Sequence, residues 1–280
     1  MYIRIFTEEE KQFIREKYVN TKWTAAKIGK ELKAGVATVR KFLHEEGIIR
    51  PIGSSSRKYF ANFNYFESID TEQKAYWLGV LYADGCVSKK NKSLRFSSID
   101  KEWIEAYKKD LEYNGPLSIE YHPKFNKSIY KITMYSDKLV DSLISYGCIE
   151  RKSLVLKFPN LPKSLIPHFI RGYFDGDGCV GYYKYTKHSD CKTLRVMICS
   201  GSKDLLEKIV QYLPISCKLI RQRQRVHALY EIVLSVNDSK SFYTYIYANA
   251  TRFLQRKKDK FDSFFRERGS TTIISPSYNI

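Results

Sequence analysis

Apolar positions along the chain fall into three patterns. From residue 7 to residue 47 they recur at helical spacing. Phe13, Ile14 and Tyr18 do so within TEEEKQFIREKY (7–18), Ala25, Ile28 and Leu32 within TAAKIGKEL (24–32), and Val36, Val39, Phe42 and Leu43 within VATVRKFLHEEG (36–47). Thr7 followed by Glu10 spells a capping box for the first helix. The break KAG (33–35) offers a glycine for a tight helix-to-helix turn, and Gly47 ends the third helix. Further on, alternation takes over. In YKITMYS (130–136), Tyr130, Ile132 and Met134 point one way and Lys131, Thr133 and Tyr135 the other, which predicts a half-buried strand. KEWIEAYKKDLE (101–112) returns to helical spacing, with Trp103, Ile104, Tyr107 and Leu111 on one face. The third pattern is an almost unbroken apolar run that ends in a carboxylate. YWLGVLYADGCV (76–87) closes on Asp84 and Gly85, and HFIRGYFDGDGCV (168–180) on Asp177 and Gly178.

These two runs belong to a duplication. AYWLGVLYADGCV matches HFIRGYFDGDGCV at an offset of 93 residues. SLRFSSIDKEWIEAYKKDL (93–111) matches TLRVMICSGSKDLLEKIVQYL (193–213) with a small gap, and SIYKITMYSDKLVDSLISY (128–146) matches ALYEIVLSVNDSKSFYTYI (228–246) at an offset of 100. IERKS (149–153) matches LQRKK (254–258). Each copy reads as helix, two strands, helix, two strands, helix. Two such halves, burying sheets under helices across a pseudo-two-fold, form one unit of α+β class. Gly79 and Ala83 lie four residues apart in the first run, as do Gly172 and Gly176 in the second. Small residues at that spacing let two helices meet backbone to backbone, so the runs are expected to cross at the interface between halves. They then end side by side, with Asp84 and Asp177 near the shared axis and Gly85 and Gly178 as C-caps. A helix C-terminus disfavours each carboxylate by roughly 0.3–1 kcal/mol, and two acids repel each other besides. A divalent cation relieves both strains. Mg²⁺, which takes one or two carboxylates with waters and phosphate oxygens, is the expected cofactor.

The charge balance indicates what such a cation acts beside. Among 280 residues, 48 Lys+Arg stand against 30 Asp+Glu, a formal net charge of +18 that calls for a polyanion, nucleic acid first. Hydrophobic content of 43% is enough for real cores. No stretch approaches a membrane-spanning helix, and the start MYIRIFTEEE becomes charged too early for export. The expected location is cytoplasmic, in a bacterial, phage or organellar interior. Six cysteines with no CxxC pair argue against zinc and read as small core residues of a reducing compartment.

WLGVLYADG (77–85) and IRGYFDGDG (170–178) resemble the paired signature motifs of the single-chain LAGLIDADG homing endonucleases, and with the downstream blocks the resemblance covers about residues 65–268. It implies two αββαββα repeats with antiparallel DNA-binding sheets in the major groove. It further implies Mg²⁺-dependent hydrolysis of both strands across the minor groove, leaving short 3′ overhangs. The last motif acid of each copy is a metal ligand in that family, which maps to Asp84 and Asp177. The preceding motif acid is replaced by Tyr82 in copy one and kept as Asp175 in copy two. Basic groups near each scissile phosphate map to Lys152 and Lys257 as candidate catalytic residues, with Lys258 left as an alternative in copy two. A non-cleaving DNA-binding regulator or an RNA maturase on the same scaffold is the alternative, but such proteins usually lose an acid and both are present here. An intein-borne endonuclease is a second alternative, but it would need a Cys or Ser at the splice start and a His-Asn end, whereas this chain begins Met-Tyr and ends Tyr278-Asn279-Ile280. The expectation is a free-standing enzyme encoded in an intron or between genes, a monomer because both carboxylates occur in one chain, with double-stranded DNA as its partner and no protein partner required.

The three N-terminal helices resemble a helix-turn-helix, whose last helix enters the major groove. Thr38, Arg40 and Lys41 then face DNA, and residues 1–60 hold 13 Lys+Arg against 7 acids. In the repeats, Arg95 and the segment RQRQR (221–225) are the candidate DNA contacts. There Arg221, Arg223 and Arg225 share one strand face, and Gln222 and Gln224 share the other. Arginine suits guanine edges and glutamine adenine edges, so either face could read bases. The corresponding strand of copy one, SIEYHPKFNK (118–127), is less basic and is interrupted by Pro123, so the halves are expected to read different sequences in a non-palindromic target. The expected organisation is a DNA-binding unit at 1–49, a linker at 50–64, repeats at 65–160 and 161–268, and a tail at 269–280.

Overall fold

The structure, a computed structural model, describes residues 5–20, 23–48, 59–184, 192–221 and 229–267. The chain divides between Phe60 and Ala61 into two compact units.

The first unit holds α1 (Glu8–Val19), α2 (Ala25–Glu31) and α3 (Val36–Glu45). The capping box forms as expected: the Thr7 hydroxyl accepts from the Glu10 N–H at 3.2 Å, and the Glu10 carboxylate accepts from the Thr7 N–H at 3.0 Å. Phe6, Ile14, Ile28, Val39, Phe42 and Leu43 make the core. The turn between α2 and α3 differs from expectation. Gly35 is the extended N-cap of α3 at φ −62°, while Lys33 takes the left-handed conformation at φ 50°. The glycine this turn needs is Gly29, where a Cβ would lie 2.7 Å from the Ala34 carbonyl oxygen. Arg40 and Lys41 are exposed on α3, with Lys41 3.8 Å from Glu45, and Thr38 is half-buried.

The second unit begins at Ala61, already buried, a few residues ahead of Tyr65. Its first repeat runs α4 (Glu72–Asp84), β1 (Cys86–Ser88), β2 (Ser93–Ser98), α5 (Lys101–Asp110), β3 (Ser118–His122), β4 (Lys127–Tyr135) and α6 (Asp137–Ser145). The second runs α7 (Ile166–Asp177), β5 (Gly178–Lys184), β6 (Lys192–Ser200), α8 (Lys203–Tyr212), β7 (Leu219–Arg221), β8 (Tyr230–Leu234) and α9 (Val236–Tyr247). A further helix, α10 (Gln255–Glu267), follows; at the matching place the first repeat has only a 3₁₀ turn, Lys152–Leu154. Each repeat folds its strands into one antiparallel sheet, in the orders β1-β2-β4-β3 and β5-β6-β8-β7. Pro123 ends β3 as anticipated, opening a 3₁₀ turn that Asn126 leaves at φ 48°.

One face of each sheet carries the core. Leu94, Phe96, Ile132 and Met134 are buried in the first, and Val196, Ile198, Ile232 and Leu234 in the second. Burying each such side chain contributes about 1.5–3 kcal/mol. Trp77, Phe96, Trp103 and Tyr107 pack with ring centroids 5.0–6.3 Å apart in the first repeat. Phe174, Phe242 and Phe261 do the same in the second.

Strand register corrects the alignment of the halves. Cys86 pairs with Arg95, whereas Cys179 pairs with Met197, so the shared Leu-Arg at 94–95 and 194–195 is out of structural register by two residues. The β5–β6 hairpin is longer, and Arg195 pairs farther along it with Gly181. A second correction concerns the cysteines. Cys148 is buried as expected, but Cys86 and Cys179 are exposed and Cys199 and Cys217 half-buried. Cys86 and Cys179 stand on the strand face opposite buried Val87 and Val180, which is why they cannot be core residues. Among the described residues, no helix is long and apolar enough to cross a membrane.

Candidate active site

α4 and α7 cross at their small residues. A Cβ at Gly79 would lie 2.1 Å from the Phe169 carbonyl oxygen, one at Gly172 1.9 Å from that of Tyr76, and one at Gly176 2.2 Å from Ala83 Cβ. No side chain fits between the backbones, so Ala75–Tyr82 are buried all round, and the apolar run is explained by this seam. The seam ends where the chemistry begins. The position of a Cβ on Gly176 is 3.1 Å from Asp84 Oδ2, which puts the Asp84 carboxylate against the C-terminal turn of α7, beside Asp177. Gly85 and Gly178 cap the helices, though both have extended backbones (φ −73° and −86°). They are needed for room: a Cβ would lie 2.5 Å from Leu81 O at Gly85 and 2.1 Å from Phe174 Cδ2 at Gly178.

Both carboxylates reach solvent, yet protein atoms crowd them. Desolvation and the neighbouring Asp177 push Asp84 up to about 6, against the pull of Lys257, Lys152 and Arg256. Burial also raises Asp177, although the neighbouring Tyr173 hydroxyl and the charges of Lys152 and Lys257 draw it back. Two acids held together at helix C-termini, each resisting its own charge, form a donor set of hard oxygens with an open side. Among the described residues no cluster of three or more His, Cys, Asp or Glu side chains could hold a metal. Asp84 and Asp177 bring two hard carboxylate donors together, the donor type that a hard divalent cation takes.

The two candidate lysines enter from behind. Lys152, 9% exposed, donates to the Gly85 carbonyl. Lys257, 4% exposed, donates to the carbonyls of Phe174 (2.7 Å), Asp175 (2.7 Å) and Gly178 (2.6 Å), and burial pulls its pKa down to about 8. Each ammonium therefore sits on the negative end of its own repeat's motif helix and faces the carboxylate pair. Lys258 points elsewhere: it pairs with Asp262 at 2.7 Å among the rings of Tyr243, Tyr247 and Phe253. It is Lys257 that the fold brings to the carboxylates.

Other polar groups support the seam from the far side. Arg171, fully buried, donates to Glu72, to Ile246 O at 2.6 Å and to Arg252 O at 2.7 Å. Arg252 in turn forms a two-pronged pair with Asp110 at 2.6 and 2.7 Å. These contacts were not legible in the sequence: Arg171 reaches Ile246, Arg252 and Glu72 across 75–99 residues, and the Tyr173 hydroxyl donates to the Cys199 carbonyl, 26 residues on, at 3.0 Å. Of the candidate DNA contacts, Arg95 is exposed on β2, on the sheet face opposite the core. Arg221 ends β7, paired with Tyr230. Gln222, Arg223, Gln224 and Arg225 lie outside the described residues. Arg195, exposed on β6 with its guanidinium 5.5 Å from the Tyr183 ring centre, is an addition; the repeated Leu-Arg was its signal.

The sequence model of the LAGLIDADG-like domain matches residues 71–146 and again 165–247, together more than half of the chain. Among curated proteins, the chain is 29% identical over 212 residues to Probable translation initiation factor IF-2 of Methanocaldococcus jannaschii, a match covering 72% of this chain and 16% of that protein. It is 31% identical over 102 residues to reverse gyrase of the same organism, covering 36% and 6% respectively. The chain thus spans a minor part of the length of these relatives. Among solved structures it resembles the homing endonuclease I-WcaI bound to its DNA recognition sequence, at 15% identity and TM-score 0.48, over 76% of this chain and 94% of that one. It also resembles the LAGLIDADG meganuclease I-AabMI bound to uncleaved DNA, at 17% identity and TM-score 0.48, over 72% and 92%.

Proposed function

The chain belongs to the LAGLIDADG-like domain family, and on that footing we propose that it is a site-specific DNA endonuclease that makes a staggered double-strand break in a long, non-palindromic target. The observation that carries this reading is the crossing of α4 and α7, which delivers Asp84 and Asp177 side by side at the end of a seam too tight for any side chain. Asp84 and Asp177 would hold the divalent cation, Mg²⁺ by the hardness of the donors. When bound, that ion supplies charge neutralisation at a phosphoryl oxygen and an acidified water. Lys152 and Lys257 hold positive charge beside the same spot and stabilise the negative charge that builds on the phosphoryl and leaving oxygens as the bond breaks. Their burial keeps the ammonium groups fixed, so no reorganisation is needed during the reaction.

Sequence recognition falls to the outer sheet faces, where Arg95 and Arg195 stand, and to the RQRQR segment, which starts at the last residue of β7. The two-residue difference in register sets these arginines at different distances from the carboxylates, in keeping with two unlike half-sites. The helical unit adds a second foothold through Thr38, Arg40 and Lys41. One chain carries both acids and both lysines, so a monomer suffices for both cuts.

Incubating the protein and Mg²⁺ with a randomised duplex library, then sequencing the cleaved ends, tests the reading. A shared long motif with offset nicks on the two strands, absent in EDTA, is the expected result. Binding enrichment without any cleaved ends would point instead to a regulator on the same scaffold.

A further inference from the structure

The family resemblance leaves one departure without a role: the residue two positions before each candidate ligand is a tyrosine in one repeat and an aspartate in the other. We propose that Tyr82 and Asp175 are positioning residues, each tying down the segment that brings its own repeat's lysine into the site. Their effect on catalysis rests on the nuclease reading above; the tie itself does not.

In the second repeat, Asp175 is 1% exposed, and its Oδ2 accepts from the Leu254 N–H at 2.7 Å and from the Tyr76 hydroxyl at 2.8 Å. Leu254 opens α10: its carbonyl receives the N–H groups of Lys257 at 3.0 Å and Lys258 at 3.2 Å. Holding Leu254 therefore holds the first turn of α10, and with it the Lys257 side chain. In the first repeat, the Tyr82 hydroxyl donates to the Tyr146 carbonyl at the C-terminus of α6. Gly147 follows at φ +92°, so close that a Cβ there would lie 2.6 Å from the Tyr82 hydroxyl, and Cys148 Sγ is 3.4 Å from Leu81 O. Arg151, at φ 51°, then turns the chain into the 3₁₀ turn that carries Lys152.

The choice of residue follows from which helix end is presented. The first repeat's lysine segment leaves the C-terminus of a helix, where carbonyls lack partners, so a hydroxyl donor is required. The second repeat's segment enters the N-terminus of a helix, where N–H groups lack partners, so a carboxylate acceptor is required. One position does one job with opposite chemistry, because α10 exists in only one repeat.

Pulse acetylation of the metal-free protein with an N-hydroxysuccinimide ester, read lysine by lysine by peptide mass spectrometry, tests this without DNA. In the native protein Lys152 and Lys257 should label far more slowly than exposed Lys138. Asp175→Ala is expected to speed Lys257 by about tenfold or more and leave Lys152 unchanged, because only the local opening of α10 becomes easier. Tyr82→Phe should speed Lys152 alone, and by less, roughly threefold, since its anchor lies six residues away from the lysine. Should Asp175→Ala not fold, Asp175→Asn retains the shape and one acceptor oxygen, and a folded protein with Lys257 selectively but partly exposed is then expected. Acceleration of both lysines alike in any folded variant, or of neither, overturns the proposal. Failure to find a cleaved DNA target would leave these labelling rates as they are, so the two readings fail separately.

Discussion

Gly79 lies on the backbone of Phe169, so close that a methyl group added to it would stand 2.1 Å from the Phe169 carbonyl oxygen. Backbone cannot step aside as a side-chain tip can. Gly79→Ala or Gly172→Ala should therefore destabilise by about 3 kcal/mol or more, at the top of the range for overpacked cores. Thermal melting or urea denaturation reads this directly. A change below about 1 kcal/mol, the ordinary effect of a point substitution, would mean that α4 and α7 do not meet as described.

Replacing either carboxylate should separate binding from cutting. Asp84→Asn and Asp177→Asn are expected to lower cleavage of the selected target by about a thousandfold or more, while gel-shift affinity changes little, since a metal ligand contributes to the transition state. Full cleavage by either variant in Mg²⁺ would contradict the site assignment.

The same carboxylates give a signature in pH. Asp84 is raised from its ordinary 3.8 to about 6 in the folded protein. A raised acid favours folding while protonated, so this contribution is complete below about pH 4 and is lost as pH rises through 6. Metal-free Asp84→Asn should thus melt higher than the native protein at pH 8, by an amount on the order of 1 kcal/mol because water screens part of the repulsion, but not at pH 4. Adding Mg²⁺ at pH 8 should raise the melting temperature of the native protein and not that of the variant. Calorimetric scans at the two pH values, with and without Mg²⁺, check both statements.

Removing residues 1–58 should leave a folded, cutting protein, because the division falls at Phe60–Ala61. Its footprint should shorten and its affinity weaken. The slope of log K against log [salt] should also become shallower, by about 0.9 for each phosphate that the helical unit had neutralised. Footprinting and salt titration of the two forms would settle this, and an unchanged footprint would remove α3 from the DNA interface.

Much of the fold could be read before any coordinates. The Gly79/Ala83 and Gly172/Gly176 spacing announced the seam, and the match of IERKS with LQRKK placed Lys152 and Lys257 in equivalent positions. These signals survive because they are local or repeated. What remained hidden depends on a single copy or on distant partners. Gly85 and Gly178 were legible as caps, but their reason, clearance from Leu81 and Phe174, concerns atoms folded back upon them. The register of β2 against β6 was misaligned by two residues because the Leu-Arg pair repeats in sequence while the helix starts at Asp100 and Ser202 fix the true frame. Exposed Cys86 and Cys179 look like core residues in composition, and only the strand face reveals otherwise.

The ion pair between buried Arg171 and half-buried Glu72 makes the two halves chemically distinguishable partners. At the offset of 93 residues, Arg171 corresponds to Leu78 and Glu72 to Leu165. Two first halves brought together would each set a half-buried glutamate against leucine, and two second halves would each bury an arginine the same way. Stranding a charge like this typically costs about 3–5 kcal/mol, which self-pairing would incur twice. Pairing of unlike halves is therefore favoured over self-pairing of either half by one ion pair at the end of the seam opposite the carboxylates.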